Sequence, residues 1–442
     1  MKNSSSLESY QQDANVLFKL LRPVFTGENN CGNMYLYWPT GNVFDTITDY
    51  FSVAIGKTIN QTEVNIFMNG VANSYDNTTP PYYYNPNQAG IWYDDFGWWG
   101  IACAKVYSPA YKQFFPAETV KKYKSIAQSC WNFMYKGGAQ PGQAGAPNVW
   151  KNCSDPNFAS VAPRFAGGVW QNDITFDHSP LYNYGNYTNL GPYQDTVVNG
   201  LYLVLGLRVP SVNPGFPQPT IDELYKFIKT WCFSREIVNP EDGWLYYTDP
   251  AKGDAAVIKE RVKTYFDKSR VNPVCWGDHN VAWCGDQGLM LGGMVDYLKI
   301  APTEVLALTL IKLILRGVVE CMTNDDHIIQ PWYPSESVTY PCMDNSPSFP
   351  DADRPDYCCG PGVFMRYLLY AYRNNADVRR LIRINDNGIR TVIMASADAI
   401  IVNFKTAAPP PPDSQEAFFN YFNQLSILTT AIAILTDEND EA

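Results

Sequence analysis

The 442-residue chain has no run of 18 or more apolar residues, and a membrane-crossing helix needs about 20. The best candidate, 425–435, is short and carries Ser426, Thr429 and Thr430, so it reads as a buried helix and no transmembrane segment is expected. Basic runs are also missing. A net charge of −11, with 33 Lys and Arg against 44 Asp and Glu, lacks the clustered cationic footprint that phosphate backbones require, which excludes a nucleic-acid partner. Histidine is scarce: His178, His279 and His327 have no metal-ligand spacing, and the eleven cysteines form no CxxC pair, so no metal and no cofactor are expected. The start, Met1-Lys2-Asn3 followed by serines, lacks the apolar stretch of a signal peptide. Charged residues make up only 17%, but 46% are hydrophobic, which is ample for a large folded core.

Aromatic residues are abundant. With 30 Tyr and 12 Trp, the chain carries many amphipathic rings of the kind that fill cores and also stack on sugar faces. Sequons at Asn3, Asn60, Asn77, Asn152 and Asn186, together with the cysteines, favour a secreted or cell-wall-associated protein. The vicinal Cys358-Cys359 reads either as a pair of buried thiols or as two halves of disulfides with distant partners.

Hydrophobic periodicity near 3.6 residues recurs along the chain, while strand-like alternation is scarce. The pattern predicts helices near 7–22, 42–56, 61–73, 94–107, 117–135, 194–210, 220–234, 284–299, 301–320, 360–375, 379–402 and 414–436. A short extra helix is expected at 254–268, and Pro302 suits the start of the helix at 301. Close pairs with short connectors are helical hairpins. Six of them arranged in a ring would make an all-α (α/α)6 toroid with long rim loops; an open helical solenoid fits the same pattern. One catalytic domain spanning 1–442 is expected, with loop insertions near 136–193, 236–283 and 321–359, and the protein is expected to be a monomer.

The densest chemical signal is Trp92-Tyr93-Asp94-Asp95-Phe96-Gly97-Trp98-Trp99, two carboxylates framed by aromatics at a helix start. Glycoside cleavage needs such a pair, one carboxylate to attack the anomeric carbon or activate water and one acid to protonate the leaving oxygen. A helix N-terminus keeps a nearby carboxylate ionised, and aromatic neighbours raise the pKa of its partner toward acid duty. The alternative is that either Asp is an N-cap. A second pair, Asp325-Asp326, lies beside Asn324 and His327 without an aromatic frame and reads as a solvated turn. Gly56-Lys57-Thr58 has the end of a P-loop, but Phe51 stands at its first glycine.

The segment 93–102, followed by Tyr107, resembles the signature of glycoside hydrolase family 76, the endo-α-1,6-mannanases and related transglycosidases. Further blocks resemble the family in order: Gly167-Gly168-Val169-Trp170, Thr196 through Asn199 to Tyr202, Trp283 through Gln287-Gly288 to Gly292, and Cys359-Gly360-Pro361 through Arg366-Tyr367-Leu368. The resemblance implies an (α/α)6 fold and a retaining mechanism acting on a mannan-like glycan, with Asp94 as nucleophile and Asp95 as general acid/base. It further implies that Tyr93, Trp170, Asn199, Asp286, Gln287 and Asp356 border a sugar-binding funnel. Departures from the family pattern include Ala166, Gln171, Asp286 in place of asparagine and cysteine in place of a late Phe-Lys, and they bear on the substrate more than on the reaction class. Three other readings remain: a transglycosidase or an α-glycosidase for a different α-glycan, a non-catalytic glycan-binding protein on the same fold, and another (α/α)6 enzyme built around His178 or His279.

Overall fold

The computed structural model describes residues 2–26, 37–74, 93–135, 169, 194–209, 245–247, 254–266, 273–277, 282–333, 358–385, 388–406, 409–412 and 415–441. The helices are α1 (Lys2–Leu21), α2 (Pro23–Thr26), α3 (Tyr37–Ala54), α4 (Gln61–Ser74), α5 (Tyr93–Tyr107), α6 (Ala117–Phe133) and α7 (Thr196–Arg208), followed by α8 (Cys284–Ile300), α9 (Val305–Cys321), α10 (Gly360–Asn374), α11 (Ala376–Ile384), α12 (Ile389–Thr406) and α13 (Gln415–Glu441). The expected helix at 220–234 lies outside the described residues.

Six helices close a ring: α3 packs on α5, α5 on α7, α7 on α8, α8 on α10, α10 on α13, and α13 returns to α3. That closure excludes the open solenoid and makes the fold an (α/α)6 toroid. The inner helices are buried nearly all round, as their position between neighbours demands; in α8 every residue from Cys284 to Leu298 is buried. Outer helices carry a single stripe. In α6 the buried set Tyr123, Ile126, Ala127, Cys130 and Trp131 follows the i, i+3, i+4, i+7, i+8 pattern and faces α5. One helical stretch, 417–439 in α13, is long and apolar enough to cross a membrane, but it is 89% buried as a member of the inner ring.

The six inner helices run in one direction. Their N-terminal portions approach one another at small residues: a Cβ at Gly97 would lie 2.7 Å from Leu201 Cβ, one at Gly200 would lie 2.9 Å from Leu289 Cβ, and one at Gly288 would lie 2.7 Å from Phe364 Cα. Their C-terminal ends are likewise bonded together. Tyr107 Oη donates to the Arg208 carbonyl (3.2 Å), Arg373 Nη1 to Ser52 Oγ (2.8 Å), and Arg208 Nε to Asp296 Oδ2 (2.6 Å).

Between the two ends lies a buried charge cluster. Lys105 Nζ sits 2.5 Å from Asp45 Oδ1 and 2.7 Å from Asp49 Oδ2, and Arg366 Nε sits 3.0 Å from Asp45 Oδ2. Arg366 also donates to the Asn42 carbonyl (3.2 Å) and Thr46 Oγ1 (3.0 Å). Burial raises the Asp45 pKa, but the Lys105 and Arg366 cations outweigh it and hold the carboxyl below its ordinary value.

Three expectations need correction. Of the stretch 254–268, the described residues 254–266 are not helical: β3 (Ala256–Ile258) pairs antiparallel with β2 (Leu245–Tyr247), and β4 (Arg261–Phe266) lies between β1 (Gln194–Asp195) and β5 (Pro273–Gly277). Its Val, Ile, Tyr and Phe content suits strands once partners exist. The helix expected over 379–402 is two, because Asn385 ends α11 in the left-handed conformation (φ 53°) and Gly388 follows at φ 77°. Pro302 falls in the turn before α9, whose N-cap is Glu304, accepting from the Leu306 N–H at 3.2 Å.

Candidate active site

Because the inner helices are parallel, six N-termini converge on one end of the ring, and their partial positive charges favour anionic side chains there. Asp94 and Asp95 occupy the first turn of α5 and are half-buried. Residues four apart share a helix face. Asp94 therefore stands over Trp98, whose ring meets Trp38 at the start of α3 (6.4 Å) and, edge-on, Trp283 before α8 (6.5 Å). Since α8 is not a ring neighbour of α5, Trp98 reaches past α7 into the interior of the ring, and the Asp94 face of α5 looks into the funnel. Asp95 stands over Trp99, which packs on Phe44 of α3 (6.0 Å), so the second carboxylate lies toward the α3 side. The Trp98, Trp283 and Trp38 rings form a floor, with Phe419 of α13 stacked on Trp38 at 5.2 Å.

The other expected site residues divide. Tyr93 is buried at the first position of α5. Asp286 is fully buried in the first turn of α8; burial and then its charge push the Cys284 thiol well above the ordinary value. Asn199 and Gln287, expected to line the funnel, are fully buried and spend their amides on backbone. Asn199 accepts from the Val169 N–H (2.9 Å) and donates to its carbonyl (3.3 Å), and Gln287 makes the same paired contact with Ile258, at 2.8 Å each way, while also donating to the Trp283 carbonyl (3.0 Å). An amide supplies the acceptor and donor that a strand neighbour would. These two side chains thus fasten rim segments to the inner helices, and Asn199 fixes the residue preceding Trp170 in sequence. Trp170 and Asp356 lie outside the described residues, as do His178 and His279.

Asp325 and Asp326 are exposed in a turn held by Asn324 Oδ1, which accepts from Asp326 N (3.1 Å) and Ile328 N (2.8 Å). Among the described residues no three His, Cys, Asp or Glu side chains gather as metal ligands. Trp332, which no sequence motif singles out, is half-buried on β7 (Trp332–Tyr333), which pairs with β6 (Ala282–Trp283) in the register Trp283 to Trp332. Its local signal, an aromatic pair between prolines, was too weak to separate it from the chain's other tryptophans.

The ring is an (α/α)6 toroid, and two adjacent carboxylates lie at the end where its inner helices begin. The glycosyl hydrolase family 76 model matches residues 9–145, which include both carboxylates. The fold is shared over nearly the whole length with an α-1,6-mannanase of a Salegentibacter species (12% identity, TM-score 0.56, 97% of this chain and 99% of that chain). A doubly substituted variant of that enzyme, described as inactive and carrying changes at two adjacent aspartates, in complex with α-1,6-mannotetrose, aligns at 13% identity and TM-score 0.57 over 96% and 99% of the two chains. Dfg5 from Chaetomium thermophilum, in complex with glucosamine, aligns at 14% identity and TM-score 0.55 over 96% and 90%. No curated protein matches in sequence. The family match covers about the first third of the chain, and the solved structures share its fold.

Proposed function

We propose that the protein is a retaining glycoside hydrolase that cleaves an α-linked mannan-like glycan at internal bonds. The observation that carries this reading is the placement of Asp94 and Asp95 in the first turn of α5, where six helix N-termini converge above the Trp98–Trp283 floor. Asp94, on the axial face, attacks the anomeric carbon and forms a glycosyl ester as the glycosidic C–O bond breaks. Asp95 gives its proton to the departing oxygen, then takes one from the water or acceptor sugar that releases the ester. The helix dipole stabilises the ionised nucleophile.

Tyr93 and Asp286 border the sugar in this reading, as do Trp170 and Asp356, while Asn199 and Gln287 act as positioning residues. The whole chain serves as one catalytic domain, acting outside the cell. The mannan assignment draws on the mannooligosaccharide complexes of the Salegentibacter enzyme. To test it, purified Asp94→Asn and Asp95→Asn proteins are incubated with α-1,6-mannan and the released oligosaccharides separated. Each variant is expected to lose at least about a thousandfold in turnover, an effect of the size seen when an essential catalytic group is removed, with an unchanged melting temperature. Near-normal product release by both would overturn the reading.

A further inference from the structure

We infer that Trp332 is a sugar-stacking platform, a specificity-determining residue that holds one pyranose ring of the substrate beside the carboxylate pair. The inference rests on the glycosidase reading and extends it to the part of the rim where α8 begins. Three contacts carry it. Asp94 and Trp98 share a face of α5, and Trp98 meets Trp283, at the start of α8, edge-on at 6.5 Å. Trp283 and Trp332 are directly opposed in the β6–β7 ladder, and opposed residues of an antiparallel pair project from the same face of the sheet. Trp332 therefore shares the funnel-facing side with Trp283. The two indoles differ in exposure. Trp283 is 4% exposed and belongs to the floor, whereas Trp332 is half-buried and keeps surface available.

The hairpin that carries Trp332 is anchored. The Cys284 N–H donates to the Pro331 carbonyl at 2.9 Å, which ties the approach to β7 to the first residue of α8, and Gly360 at the start of α10 lies against both Trp283 and the Pro331 carbonyl. An indole held this way offers a flat apolar face at little entropic cost, and the C–H face of a pyranose is its natural complement. The occupant is thus a neutral hexopyranose unit of an oligosaccharide.

The test uses the full-length protein with Asp94→Asn, which suppresses turnover, and measures α-1,6-mannotetraose binding by titration calorimetry. Adding Trp332→Ala is expected to weaken binding by roughly ten- to thirtyfold, the loss of a well-packed aromatic contact, while Trp332→Phe restores most of it. In the active protein Trp332→Ala raises KM and leaves kcat within a few-fold. Equal affinity with and without Trp332 overturns the platform. If the Asp94→Asn protein ignores mannotetraose but binds an α-glucan oligosaccharide in a Trp332-dependent way, the platform stands and the mannan reading falls. If no oligosaccharide binds a folded protein, the platform is overturned.

Discussion

Replacing Asp45 by asparagine preserves the side chain's shape and removes the one negative charge that Lys105 and Arg366 share at the heart of the ring. Lys105 keeps Asp49 at 2.7 Å, and Arg366 keeps the Asn42 carbonyl and Thr46 Oγ1, so the two cations are not left without partners. They are left with two full positive charges against one carboxylate, all deeply buried. Removing one member of a buried ion cluster costs about 3–5 kcal/mol, and the surviving contacts place this case near 3 kcal/mol. For a chain of 442 residues that lowers the melting temperature by roughly 3 °C. Circular dichroism melts and urea unfolding at pH 7 read it directly, with the exposed Asp326→Asn as a control that should not move. Adding Lys105→Met to Asp45→Asn is expected to return part of the loss, because it removes the surplus cation. A wild-type melting temperature for Asp45→Asn would refute the claim that this cluster holds the inner helices together.

The same carboxyl sets an acid limb. Its folded pKa lies below the ordinary carboxylate value of about 3.9, so its contribution is fully present above that value and is lost as pH falls through the lowered one; the stability gap between wild type and Asp45→Asn, followed by urea unfolding against pH, should be constant above about pH 5 and close in strong acid. Gly288→Ala should cost about 1–3 kcal/mol, because the new Cβ meets the Phe364 backbone at 2.7 Å and α8 and α10 must part; an unchanged melting temperature would count against that register.

Where a signal is local, the sequence carries it. Asp94 and Asp95 stand out because aromatics and a helix start surround them within eight residues, and the amphipathic stripe of α6 is written in its own spacing. Where structure depends on a distant partner, the sequence is silent. The strands at 256–266 exist because the β2, β1 and β5 segments pair with them and because Gln287 completes the edge at Ile258. The amides of Asn199 and Gln287 could equally have faced sugar or backbone, and only packing decides. Trp332 gains its position from a register with Trp283, some fifty residues earlier, and ring closure requires α3 to meet α13 across most of the chain. The break at 385–388 was legible in its Asn-Asp-Asn-Gly composition, but the apolar periodicity continuing on both sides outweighed it.

A double displacement at Asp94 retains the anomeric configuration, and the configuration of the first product tests it most directly. Following α-1,6-mannotetraose cleavage by proton NMR, the newly formed reducing end should appear first as the α-anomer and only later equilibrate with β. A first product of β configuration, or no cleavage of any α-linked oligosaccharide, would contradict it.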